Sequence, residues 1–297
     1  NDEEVANTGR DIITAGSGDN RILAGLSNDD VTTLDGTDVV LGDNGTLTYV
    51  NNILTSAESS ETALGDVDTI AVGEGDNIVI AGQGADVVTT GLGSDTVIGD
   101  SGEINYNAGV ITDLQSTATS QGGGDIITAL GGDNTIVGGF GGDTITTTSG
   151  NDVVLGDNVE LSYVGGDLTS AMSTAPSLGD VDTIAVGEGD NIVIAGQGAD
   201  VVTTGSGSDT VIGDSGEINY DLNGVITDLQ STATSQGGGD RITALGGDNT
   251  IVGGFGGDII TTTNGNDAIL GDNGVIEYVD GNAVRLSGND VEVANTG

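Results

Sequence analysis

A β-branched apolar residue recurs every nine positions along most of this chain, and each one follows an aspartate or asparagine by two places. Ile13, Ile22, Val31 and Val40 follow Asp11, Asn20, Asp29 and Asp38; Ile70, Val79, Val88 and Val97 follow Asp68, Asn77, Asp86 and Asp95. The same Asp, Asn, Asp, Asp order returns at Asp125, Asn134, Asp143, Asp152, at Asp182, Asn191, Asp200, Asp209 and at Asp240, Asn249, Asp258, Asp267, which makes twenty rungs. Glycine precedes the acid or amide by two places in 17 of the 20, the exceptions being Ser27, Asp66 and Asp180. Glycine for a tight turn, a short polar side chain, then Ile or Val predicts a turn leading into a short strand whose middle residue points inward.

The next residue along alternates with rung number. Odd rungs carry Thr or Ala there (Thr14, Thr32, Ala71, Thr89, Thr128), whereas even rungs carry Leu, Ile or Val (Leu23, Leu41, Ile80, Ile98, Val137). The predicted coil is therefore 18 residues long with two unlike faces, an all-β parallel β-roll or β-solenoid. After every fourth rung the nine-residue rhythm stops at Gly42-Asp43, Gly99-Asp100, Gly156-Asp157, Gly213-Asp214 and Gly271-Asp272. Alternating segments around a turn follow, such as 103–106 and 110–113 around Asn107-Ala108-Gly109, and these predict one β-hairpin per unit. Each hairpin carries one of the five tyrosines, Tyr49, Tyr106, Tyr163, Tyr220 and Tyr278, and is expected to fold over the more apolar even-rung face. The units are approximately 9–65, 66–122, 123–179, 180–237 and 238–295 of one continuous array. Segment 65–106 recurs as 179–220 with one change, Leu92 to Ser206. The two ends, 1–9 and 289–297, also resemble each other, as expected of an excerpt from a longer array.

Charge adds a requirement that the strand pattern alone does not. Against 47 acidic residues stand Arg10, Arg21, Arg241 and Arg285 and no lysine, a net charge of −43. Such a chain repels nucleic acid and anionic lipid and attracts cations. Stacked coils would bring acids such as Asp68 and Asp86 about 4.8 Å apart, where they repel strongly unless something positive lies between them. A hard divalent cation fits, because glycine turns can aim carbonyls inward while the next aspartate supplies charge. Turn-forming preference alone would not hold a nine-residue phase over twenty rungs. With no histidine, cysteine or lysine, a Ser-His-Asp triad, a thiolate, a disulfide and a Schiff base are all excluded. No apolar run is long enough to span a membrane. The chain is expected to be no enzyme.

The nonapeptides Gly138-Gly139-Phe140-Gly141-Gly142-Asp143-Thr144-Ile145-Thr146 and 253–261 resemble the RTX (repeats-in-toxin) family, whose pattern is Gly-Gly-x-Gly-x-Asp-x-apolar-x. The resemblance implies multiple Ca²⁺ ions held between stacked turns by the twenty rung residues and glycine-turn carbonyls. Asp43, Asp100, Asp157, Asp214 and Asp272, which follow each fourth rung, are added as candidate ligands. Every second rung departs from the pattern with asparagine, each preceded by an aspartate that is a possible stand-in (Asp19, Asp76, Asp133, Asp190, Asp248), so these sites are expected to be weaker or empty. The resemblance further implies type I secretion from a Gram-negative bacterium to the extracellular space or cell surface. The function expected is a calcium-binding structural segment, a rigid extender or adhesin repeat that folds on Ca²⁺ binding outside the cell. A self-assembling filament or surface layer, or an ice- or glycan-binding module using the Thr column, are the alternatives. Hairpin units rising about 10–15 Å each would give about 50–75 Å in all.

Overall fold

A computed structural model describes residues 9–289, so the resemblance between the two ends, apart from residues 9 and 289 themselves, lies outside the described residues. Among the described residues thirty strands form three ten-stranded sheets. Odd rungs, from Ile12–Thr14 to Ile259–Thr262, build a parallel outer sheet; even rungs, from Arg21–Leu23 to Ala268–Leu270, build a parallel middle sheet. Register is regular across units, with Ile126, Ile127 and Thr128 opposite Val87, Val88 and Thr89. Among the described residues no helix is long and apolar enough to cross a membrane.

The nine-residue phase builds the core. A strand alternates its faces, so one Ile or Val per rung points between the outer and middle sheets. Every one of these is buried in a single cluster except Ile13 and Ile260, which pack against it, and Ile269, which is exposed on the last coil.

The hairpins make the third layer, as the even-rung pattern predicts. Each unit contributes one antiparallel pair, such as Gly102–Asn107 with Val110–Ser116, and the five pairs join into one cover sheet. In that hairpin Ala108 and Gly109 have φ of 53° and 82°, the left-handed pair that a two-residue type I′ turn demands. Ile104, Leu114, Leu161, Ile218 and Leu229 from the cover sheet are fully buried against Leu41, Ile80, Ile98, Val137 and Leu155 from the middle sheet. Tyr106, Tyr163, Tyr220 and Tyr278 pack against the same cluster. Arg21 lies 3.9 Å over the Tyr49 ring.

Each repeat thus adds two strands to every sheet, and the three layers advance in step. Because the hairpin lies beside the roll instead of along it, a unit rises only about 10 Å and ten stacked coils about 48 Å. That is the low end of the expected length.

Candidate metal centre

Two edges join the outer and middle sheets, and the rung acids line them. On the edge leading into the outer sheet stand Asp11, Asp29, Asp68, Asp86, Asp125, Asp143, Asp182, Asp200, Asp240 and Asp258. Each backbone N–H donates to the Oδ1 of the next aspartate in this column, from Asp11 to Asp29 through to Asp240 to Asp258, at 2.6–2.9 Å. The ladder crosses all five units without a break, which fixes each carboxylate's orientation from the coil before it.

The second oxygen of these carboxylates has no donor. Oδ2 of Asp29, Asp68, Asp86, Asp125, Asp143, Asp182, Asp200, Asp240 and Asp258 is buried and unpartnered. Burial pushes the carboxyls of Asp86, Asp143 and Asp240 up to about 7, and those of Asp68 and Asp200 to about 8. Burial, with Asp143 and Asp157 close by, drives Asp182 to about 10. Asp125 is raised well above the carboxylate range by burial and then by Asp100 and Asp143. The unpartnered oxygens open onto glycines where a side chain would intrude. A Cβ on Gly99 would fall 2.1 Å from Asp125 Oδ2 and 2.6 Å from the Gly138 carbonyl oxygen; on Gly156 it would fall 2.1 Å from Asp182 Oδ2 and 2.2 Å from the Ala195 carbonyl oxygen. The glycines keep open a space flanked by carboxylate and carbonyl oxygens.

The acids after each fourth rung join the same edge. Where the chain leaves for the hairpin, Asp100 accepts from the N–H groups of Gly123 (3.1 Å) and Phe140, and Asp214 from those of Gly238 (3.0 Å) and Phe255. Asp43 accepts from Gln83 N–H at 2.6 Å, and Asp157 from Gln197 N–H. These bonds tie the hairpin's exit to the following coil. Burial raises Asp43 to about 7, Asp214 to about 8 and Asp100 and Asp157 to about 9. Asp272, on the last coil, is exposed.

The opposite edge carries Asn20, Asp38, Asn77, Asp95, Asn134, Asp152, Asn191, Asp209, Asn249 and Asp267 in a similar N–H to Oδ1 ladder of 2.8–3.0 Å. Each asparagine also uses its amide nitrogen. Asn77 Nδ2 donates to the Gly73 and Gly75 carbonyls at 3.1 and 2.8 Å and to Asp95 Oδ1 at 3.0 Å. Asn20 and Asn191 repeat all three bonds, while Asn134 and Asn249 keep one glycine carbonyl and the aspartate. Burial raises Asp95, Asp152 and Asp209, against the lowering effect of the Thr90, Thr147 and Thr204 hydroxyls. The aspartates before the asparagines do not enter this slot: Asp76, Asp133 and Asp190 are exposed and cap the N–H groups of Ser94, Asn151 and Ser208 in the next coil.

Residues 5–40, 63–103, 119–157, 179–217 and 235–274 match the family model of the RTX calcium-binding nonapeptide repeat (four copies), which together is more than half of the chain. The chain belongs to the RTX family. No curated protein matches it closely enough to count as a relative. RTX repeats bind Ca²⁺ in multiple copies, and the donor set of this RTX chain suits that ion: oxygens only, from buried acids, with the second oxygen of each outer-edge carboxylate from Asp29 to Asp258 free of any hydrogen-bond donor. Among the described residues no three acidic side chains converge as a metal-binding group, so backbone carbonyls must complete any shell. The RTX consensus gives no hint of the asparagine clamp. Its one trace is positional, since asparagine takes the second rung of every unit and never an odd rung.

Proposed function

We propose that this RTX segment is a calcium-stiffened spacer of a secreted or surface-exposed bacterial protein, disordered before export and rigid outside the cell, with no catalytic role. The unbroken ladder of aspartates whose second oxygens lack partners carries the reading. Oxygens so placed, in a chain of charge −43, oppose folding until cations neutralise them, so binding and folding become one event. In this reading Asp29, Asp68, Asp86, Asp125, Asp143, Asp182, Asp200, Asp240 and Asp258 supply side-chain oxygens, with Asp43, Asp100, Asp157 and Asp214 adding charge beside them. Calcium is far more abundant outside cells than within, which sets the direction of the switch. The repeat family's structural character and the scatter of the arginines support a non-catalytic role. Arg10 pairs with Asp30, Arg285 with Glu277, and Arg21 stacks on Tyr49.

Circular dichroism and small-angle X-ray scattering in EDTA and in millimolar calcium test the proposal. The expected result is an expanded coil without calcium and a stiff body about 48 Å along its stack with it. Equal β-content and equal size in both conditions would overturn it. A second reading, lateral self-association, draws support from the exposed Ile12, Ile126 and Ile259 on the outer sheet. Sedimentation velocity of the calcium-loaded chain separates the two: the spacer stays monomeric, and the filament grows with concentration.

A further inference from the structure

The two edges of the roll carry rungs of one repeat pattern and differ in one chemical respect. On the outer-sheet edge every rung residue is an aspartate, and from Asp29 to Asp258 each has a buried oxygen facing no donor. On the middle-sheet edge every second rung is an asparagine whose amide nitrogen already lies against oxygens of the kind a calcium ion would take. Asn77 Nδ2 reaches the carbonyls of Gly73 and Gly75 and the Oδ1 of Asp95, and Asn191 Nδ2 those of Gly187 and Gly189 and the Oδ1 of Asp209. No rung asparagine has a buried side-chain atom without a partner. An N–H donor so placed does locally what a cation does: it lays positive charge against carbonyl and carboxylate oxygens.

We infer that calcium occupies only the all-aspartate edge, and that on the opposite edge the asparagine amides replace the ion as a built-in, metal-independent clamp.

Alternation makes the replacement complete. A cation between two turns draws ligands from both, and because Asn and Asp alternate on this edge, every gap is bordered by one asparagine turn. Its carbonyl is committed to its own amide, and its rung residue carries no charge. The gap between Asp95 and Asn134 and the gap between Asn134 and Asp152 both lose through Asn134, so five asparagines disable the whole edge. The unpartnered Oδ2 atoms of Asp38, Asp95, Asp152 and Asp209 remain. The Thr90, Thr147 and Thr204 hydroxyls stand near Asp95, Asp152 and Asp209, but those of Thr90 and Thr204 are themselves without a hydrogen-bond partner. The aspartates that precede the asparagines are exposed and capped by backbone N–H groups, so they bring no charge into the gaps. The consequence is a roll that calcium ties along one edge while the other is held by amides alone.

The inference rests on the outer-sheet edge binding calcium, and calcium counting separates the two claims. Native mass spectrometry of the folded chain in calcium is expected to give about two ions per unit, against about four if both edges fill. A count of zero fails the proposed function; a count near four leaves it standing and overturns the one-edged inference. Asn134→Asp, which frees the Gly132 carbonyl and restores charge to two gaps, is expected to raise the count by one or two, and Asp125→Asn to lower it. A wild-type count near two that Asn134→Asp leaves unchanged would show that the amide is not what keeps calcium out. Should that variant fail to fold, anomalous scattering from crystals of the wild-type chain grown in a lanthanide decides instead. Peaks along the outer-sheet edge alone support the inference, and peaks beside Asn77 or Asn191 overturn it.

Discussion

At the scale of single residues, the vacant Cβ positions of the binding edge separate glycines that make room from glycines that only turn the chain. Gly99 stands where a methyl group would meet Asp125 Oδ2 at 2.1 Å and the Gly138 carbonyl oxygen at 2.6 Å, distances no carbon tolerates without displacing both. Gly246, in a turn of the opposite edge, has nothing closer than 3.7 Å to the same hypothetical atom. Gly99→Ala is therefore expected to weaken calcium binding and to lower the stability of the loaded form by about 1–3 kcal/mol. Gly246→Ala should change neither measurably. Calcium titration followed by circular dichroism, with melting of the loaded proteins, checks the pair. Equal behaviour of the two variants would mean that the space beside Asp125 holds nothing of consequence.

At the scale of elements, the cover sheet fits the roll with one recurring imperfection. The middle-sheet residue 28 places before each hairpin tyrosine reads Arg21, Ile78, Thr135, Ile192 and Thr250 through the five units, and the arginine and both threonines meet their tyrosine. Tyr278 donates to Thr250 Oγ1 at 2.9 Å and Tyr163 has Thr135 beside its hydroxyl, whereas the hydroxyls of Tyr106 and Tyr220, opposite isoleucine, are buried without a partner. An unpartnered buried hydroxyl costs about 1–3 kcal/mol, and a made hydrogen bond contributes about 0.5–1.5 kcal/mol. Tyr220→Phe should thus stabilise the calcium-loaded protein and Tyr278→Phe destabilise it, with opposite shifts in thermal midpoint. Shifts of the same sign would place the Tyr220 hydroxyl in contact with water.

The same elements mark how far the amino-acid pattern reaches. Rung strands, their inward Ile and Val, the two-sided coil and the hairpin over the even face are all legible because each follows from a local period or a local turn, as at Val97 or Ala108-Gly109. The columns of acid within a unit are legible for the same reason, since the nine-residue phase stacks Asp86 on Asp68. What the period cannot carry is the direction of a hydrogen bond. Asn134 and Asp152 have nearly the same shape and occupy equivalent places; the Asn134 amide is a donor by its own chemistry, but only the folded turn shows that the Gly132 carbonyl and Asp152 Oδ1 are the acceptors within its reach. Nor does an alternating segment state which way its hairpin will lie, and hence how far a unit rises.

At the scale of the whole molecule, the acids link folding to two ions at once. In the metal-free fold the carboxyls of Asp43, Asp68, Asp86, Asp100, Asp143, Asp157, Asp182, Asp200, Asp214 and Asp240 lie between about 7 and about 10, against 3.8 for an ordinary aspartate. Raised folded values mean that the fold holds these protons more tightly than the unfolded chain does. Their stabilising contribution is full below the unfolded value near 4 and is lost as pH rises through about 7 to 10. Protons at low pH and calcium at high pH thus relieve the same buried repulsion, and they compete for the same oxygens. In EDTA the chain is expected to be unfolded at pH 8 and to gain β-structure as the pH falls toward 4.5, and the calcium concentration needed for half-folding falls over that range because protons have already relieved part of the repulsion. Far-UV circular dichroism at stepped pH, with and without calcium, measures both trends. A metal-free chain as unfolded at pH 4.5 as at pH 8 would mean that neutralising carboxylates does not suffice. The ion would then act by drawing the turns together through their carbonyl oxygens, which a proton on Oδ2 cannot do.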